Sequence, residues 1–95
     1  MMNEMRSVHV SIEGRVQGVG YRAWLEAVAT DHDLSGWVRN RRDGTVEAVL
    51  HGPSGSVAQV LEQCRRGPLA AHVTRVGILD EPADFSPGFR VLPTA

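Results

Sequence analysis

Between residues 13 and 21 the hydrophobic period of this chain changes, over a segment holding Gly14, Gly18 and Gly20. Before the change, residues 7–13 alternate. Val8, Val10 and Ile12 share one face, and His9, Ser11 and Glu13 the other, the pattern of a half-buried strand. After it, Tyr21, Trp24, Leu25, Val28 and Ala29 recur at helical spacing, which predicts a helix over about 21–33. A strand must therefore feed a helix directly, through backbone that glycine adopts more readily than other residues.

The remaining elements follow by the same reading. Trp37–Asn40 reads as a second strand, Arg42-Asp43-Gly44 as turn chemistry and Thr45–Leu50 as the returning strand. A two-residue Asp43-Gly44 loop would put Trp37 on the face of Val46, Ala48 and Leu50. A three-residue loop with Gly44 left-handed would put Val38 and Asn40 there, and is preferred because it faces Val38 against Ala48. Gly52–Ser56 reads as a break, with Ser56 and Gln59 in capping-box spacing. Val57, Val60, Leu61 and Cys64 make a second helical stripe, closed by Gly67-Pro68. Val73–Leu79 is a strand, 82–87 a loop and Phe89–Leu92 a short terminal strand. The order β-α-β-β-α-β predicts an α+β, ferredoxin-like sandwich. Two helices cover one face of an antiparallel sheet, and a short C-terminal strand is added. At 95 residues and 42% hydrophobic composition, residues 1–95 are expected to form a single domain with one small core.

The glycine segment is also where chemistry could sit. Successive amides in such a turn can converge as an anion nest, and the helix that follows adds free N–H groups and the positive end of its dipole. Arg22 falls in that first turn, where its charge opposes the dipole; the placement makes sense if an anion lies between them. Guanidinium offers a fork to phosphate or carboxylate oxygens. On its own the feature also describes a tight turn beside a surface arginine. It matches neither a dinucleotide fingerprint nor a Walker loop.

The segment Gly14-Arg15-Val16-Gln17-Gly18-Val19-Gly20-Tyr21-Arg22, followed by Gly36-Trp37-Val38-Arg39-Asn40 and Asp43-Gly44-Thr45-Val46-Glu47, resembles the two signature blocks of the acylphosphatases. Length and element order agree with that family, whose fold is the same sandwich. The resemblance implies hydrolysis of acyl phosphates to a carboxylate and inorganic phosphate. It implies that Arg22 holds the phosphoryl oxygens and that Asn40 positions the attacking water. The amides of Gln17, Gly18, Val19, Gly20, Tyr21 and Arg22 would line the phosphate cradle. Tyr21 departs from the phenylalanine usual at that position, and its hydroxyl must find solvent or a partner.

Composition removes other chemistries. All ten basic residues are arginine, so lysine Schiff-base and lysine general-base enzymes are excluded. The single cysteine, Cys64, excludes an internal disulfide and a cysteine-cluster metal site, and its apolar stripe points to core packing. His9, His32, His51 and His72 lack metal-ligand spacing, so neither metal nor cofactor is expected. No run is long enough to span a membrane, and the first residues do not read as a signal peptide, so a cytoplasmic monomer is the default. A net charge of -1 argues against nucleic-acid binding, and Val8–Glu13 and Val46–His51 carry no stacking aromatics of the kind RNA modules display. Arg39, Arg41 and Arg42 form a basic cluster beside Asn40. It reads either as a solvated hairpin end or as a local potential for an anionic substrate. The alternative to an enzyme is a non-catalytic phosphate or acyl-phosphate binding module. The same signature opens a longer family of hydrogenase-maturation carbamoyltransferases, whose further domains are not expected here, since the 95 residues hold no zinc-finger cysteines.

Overall fold

The computed structural model describes residues 4–82 and 86–95. Its elements are β1 (Met5–Arg15), α1 (Tyr21–Asp31), β2 (Ser35–Asn40), β3 (Val46–Pro53), α2 (Ser54–Cys64), β4 (His72–Asp80) and β5 (Phe89–Val91). The strands form one sheet in the order β4-β1-β3-β2-β5. The first four are antiparallel, as expected. The short β5 instead joins β2 in parallel, with Trp37 opposite Arg90. The reason is where the chain arrives. β4 leaves the sheet at the end where β2 begins, so the crossing from one edge to the other delivers β5 to the start of β2, and both then run the same way. Of the loop expected over 82–87, residues 83–85 lie outside the described residues.

The core lies between the sheet and the helices. Val8, Val10 and Ile12 of β1, Val46, Ala48 and Leu50 of β3 and Val38 of β2 are fully buried. They meet Tyr21, Leu25 and Ala29 of α1, spaced four apart, and Val57, Val60 and Cys64 of α2. Trp24, Val28 and Leu61 pack on its margin. The hydroxyl of Tyr21 donates to the carbonyl of Cys64 at 2.8 Å, tying the start of α1 to the end of α2. Burial, with Cys64 as neighbour, pushes the Tyr21 phenol far above its ordinary value, so it stays a donor.

Both helix boundaries differ from the periodicity reading. α1 ends at Asp31, two residues early, because Asp33 takes a left-handed conformation (φ 56°). Leu34 N–H then donates to Ala29 O at 2.9 Å and Asp33 N–H to Thr30 O at 3.0 Å. That is a Schellman closure, sealed by buried Leu34 and Ala29. α2 starts at Ser54 with Pro53 as its N-cap, three residues before the cap expected at Ser56, and the Ser56–Gln59 capping box does not form. β3 runs straight into α2, and the Ser54 N–H is taken by the carbonyl of Glu4 at 2.7 Å. Ser56 thus sits inside the first turn, where its side chain has no N-cap role.

The β2–β3 hairpin takes the three-residue loop. Val38 lies opposite Ala48 and Asn40 opposite Val46. Gly44 is left-handed (φ 95°), and Arg41 N–H closes the loop on Thr45 O at 2.8 Å. Asp43 Oδ1 accepts from the Thr45 amide at 3.0 Å and the Thr45 hydroxyl at 2.7 Å. The Thr45 amide is the main cause holding the Asp43 carboxyl below its usual range.

On the sheet face away from the helices, Glu47 is only 9% exposed. Its Oε1 accepts from Arg39 at 2.7 Å and Arg41 at 3.4 Å, and its Oε2 lies 2.6 Å from His9 Nε2. The Arg39 guanidinium stacks over Trp37 at 4.8 Å. Burial opposes ionisation of Glu47, but hydrogen bonds from Arg39 and His9 outweigh it and hold the carboxyl below its ordinary value. A group so lowered contributes stability that is present above the ordinary carboxylate range and lost as pH falls through the lowered value.

Two outcomes are expected. Glu47→Gln should cost on the order of 2 kcal/mol at neutral pH and should flatten the loss of stability between about pH 5 and pH 3, measured by urea unfolding at each pH. Tyr21→Phe should cost about 1 kcal/mol and lower Tm by about 4–8 °C in a thermal melt, because the Cys64 carbonyl loses its donor.

Candidate active site

The segment after β1 uses its residues in two ways. Gly18 (φ 73°) and Gly20 (φ 81°) are left-handed, and Gly20 is the N-cap of α1. No side chain caps that helix, and its first turn carries no acidic residue. The early N–H groups and the positive dipole end of α1 are thus available to an anion. The side chains beside these glycines face elsewhere. Val19 packs against the core. Gln17 Nε2 donates to Arg41 O at 2.7 Å and to Thr45 O at 2.8 Å, so its side chain pins the loop to the β2–β3 hairpin.

That pin, with the strand pairing, brings the two halves of the site together. Gly18, Gly20, Tyr21, Arg22 and Asn40 line one cavity of about 330 Å3, and Val16, Ala23, Glu26 and Val91 complete its walls. Gln17 and Val19 are not in its lining. Arg22 is half-exposed in the first turn of α1, and no carboxylate of the described residues lies within ion-pair distance of it. Asn40 ends β2 on the helix-covered face. It is 9% exposed, and its Oδ1 is buried with no hydrogen-bond partner among the described residues. A buried acceptor left unpaired by the protein is uncommon and calls for a reason, such as a bound water or ligand.

The backbone at Asn40 is held from both sides. β3 pairs with it on one flank. On the other, the chain continues past β5: Leu92 N–H donates to Val38 O at 2.9 Å, Ala95 N–H to Asn40 O at 3.0 Å, and Arg42 N–H to Ala95 O at 2.9 Å. Sequence reasoning missed this flank and missed the Gln17 strut. Neither has a periodicity or composition signal. Both are backbone-directed contacts between distant segments.

Other candidate groups are accounted for differently. Arg39 and Arg41 turn to the opposite sheet face and pair with Glu47, so neither lines the cavity. Cys64 is buried, and burial pushes its thiol up to about 11, which leaves it protonated at neutral pH. Among the described residues no group of three His, Cys, Asp or Glu side chains could hold a metal ion, and no helix is long and apolar enough to cross a membrane. A second cavity, of about 450 Å3, lies around His9, Trp37 and Arg90 and shares no residue with the first.

Comparison with known proteins places this arrangement. The acylphosphatase family model matches residues 8–91. An acylphosphatase of Azorhizobium caulinodans is 56% identical over 89 residues, covering 93% of this chain and 96% of that protein. One from Rhodopseudomonas palustris strain BisB18 is 52% identical over 91 residues, covering 90% of this chain and 92% of that protein. Among solved structures, an acylphosphatase from Coxiella burnetii superposes with a TM-score of 0.88 at 34% identity, covering 95% of this chain and 94% of that one. Identity at this level over nearly the full length of both partners extends beyond the fold to the sequence itself, and the chain belongs to the acylphosphatase family.

Proposed function

We propose that the chain cleaves the carboxyl–phosphate bond of acyl phosphates by water attack, without a metal. The observation that carries this is a convergence. Arg22 on a helix and Asn40 on a strand, 18 positions apart, line one cavity beside two left-handed glycines, and the Asn40 Oδ1 has no protein partner.

Each group has a part in that reaction. The phosphoryl oxygens take the fork of the Arg22 guanidinium and the amides of the 17–22 loop, as charge-assisted hydrogen bonds. The buried Oδ1 of Asn40 accepts a hydrogen bond from the attacking water and so fixes its lone pair in line with the scissile bond. An amide is no base at neutral pH, so the water's proton passes to a phosphoryl oxygen of the substrate. The leaving group is a carboxylate whose conjugate acid has a pKa of about 4, and it departs without a general acid. In a loose phosphoryl-transfer transition state, positioning and charge stabilisation supply most of the catalysis. A phosphomonoester has a far more basic leaving group, and this site offers it no acid.

Several outcomes are expected. Purified protein should turn over acetyl phosphate in the presence of chelator and leave a phosphomonoester intact. Phosphate binding without turnover of any acyl phosphate would identify a binding module instead. Arg22→Ala should cost on the order of 3 kcal/mol in kcat/KM, about a hundredfold, with weakened inhibition by phosphate. Asn40→Ala should lower kcat by at least roughly tenfold while KM changes little, because it removes water alignment and leaves substrate binding in place. Gln17→Leu should lower stability by about 1–2 kcal/mol in a urea titration, and lower kcat with it, since the loop and the Asn40 hairpin lose their link.

A further inference from the structure

Once the phosphoryl group has taken Gly18, Gly20 and Arg22, and water has taken Asn40, the walls left for the acyl group are those of Val16, Tyr21, Ala23, Glu26 and Val91. Of these only Glu26 carries a charge. Glu26 lies one helical turn beyond Arg22, so the two share a face of α1 and border the same cavity. They form no ion pair. No nitrogen of Arg22 comes within ion-pair distance of a carboxylate of the described residues. Glu26 is exposed on that helix, and it is the one acidic side chain in the cavity's lining.

The geometry points to Glu26 as the residue that sets the charge of the acyl group this site accepts, favouring uncharged acyl phosphates over those whose acyl group carries its own carboxylate. The inference rests on the acyl-phosphate reading of the cavity. Arg22 is the only guanidinium in the lining, and a phosphoryl dianion engages it fully. An additional carboxylate on the acyl group would find no cation there and would meet Glu26 at close range. Two like charges a few ångströms apart near the surface repel by an amount that salt reduces. The carboxylate formed on bond cleavage is common to all such substrates, so its interaction with Glu26 cancels in a comparison between them. The substrate's own extra charge does not cancel.

A matched pair of substrates tests this. Crotonoyl phosphate and fumaroyl monophosphate differ in a methyl group against a carboxylate and are otherwise nearly isosteric. Wild-type protein should prefer the crotonoyl compound in kcat/KM. Glu26→Gln should raise the fumaroyl-to-crotonoyl ratio by about three- to tenfold, and raising the ionic strength should narrow the wild-type gap. Glu62→Gln makes the same charge change on α2, outside the cavity lining, and should leave the ratio unchanged. A ratio unmoved by Glu26→Gln, or moved equally by Glu62→Gln, overturns the proposal while crotonoyl phosphate turnover keeps the acylphosphatase reading intact. No wild-type turnover of either compound overturns both.

Discussion

Residues Met5–Ile12 of β1 lie opposite Val46–Pro53 of β3 without interruption, and that pairing decides where everything else goes. It is antiparallel and central, so the end of β1 and the start of β3 fall at the same end of the sheet. The glycine segment leaves β1 there, and the hairpin that carries Asn40 turns there. A shift of one residue in this register would move Val8, Val10 and Ile12 out of the core and put His9 and Ser11 in their place. Burial of the alternating valines thus holds Arg22 and Asn40 at one cavity.

Much of this was readable from the chain because it is written in periodicity. The Val8-Val10-Ile12 alternation, the Tyr21-Leu25-Ala29 stripe and the Val57-Val60-Cys64 stripe each bury what their spacing says they bury. Gly44 resolved the hairpin register, since a left-handed residue there turns Val38 and Asn40 inward. What could not be read depended on partners remote in sequence. Ser56 looked like a cap, but Glu4 supplies the carbonyl that the first turn needs. The direction of β5 depended on which end of the sheet the chain reached. The side chain of Gln17 bonds the carbonyls of Arg41 and Thr45, residues more than twenty positions away. At the site itself, residue types and order were visible in the sequence, while the orphaned Oδ1 of Asn40 and the acidic wall at Glu26 needed three dimensions.

The arginine-only composition also separates into distinct uses. Arg39 and Arg41 neutralise Glu47 on the face opposite the helices, and Arg39 lies against Trp37. That network covers a sheet face that has no helix over it, and it lets a carboxylate sit almost fully buried there. Arg22 is set against its own helix dipole and forms no ion pair with a carboxylate of the described residues, an arrangement that costs the free protein some stability. A helix start with no side-chain cap adds to that cost. The strain is concentrated where an anion would relieve it.

The flank that holds Asn40 has a consequence for how the site is made. Asn40 accepts its outer hydrogen bond from Ala95, 55 residues later in the chain. The hairpin, its Gln17 strut and the glycine segment are all complete well before that residue is synthesised. Without residues 89–95 laid against it, one edge of β2 is unpaired. The strand that ends in Asn40 is then an open edge, and the segment 89–95 both supplies Val91 to the site's wall and closes that edge.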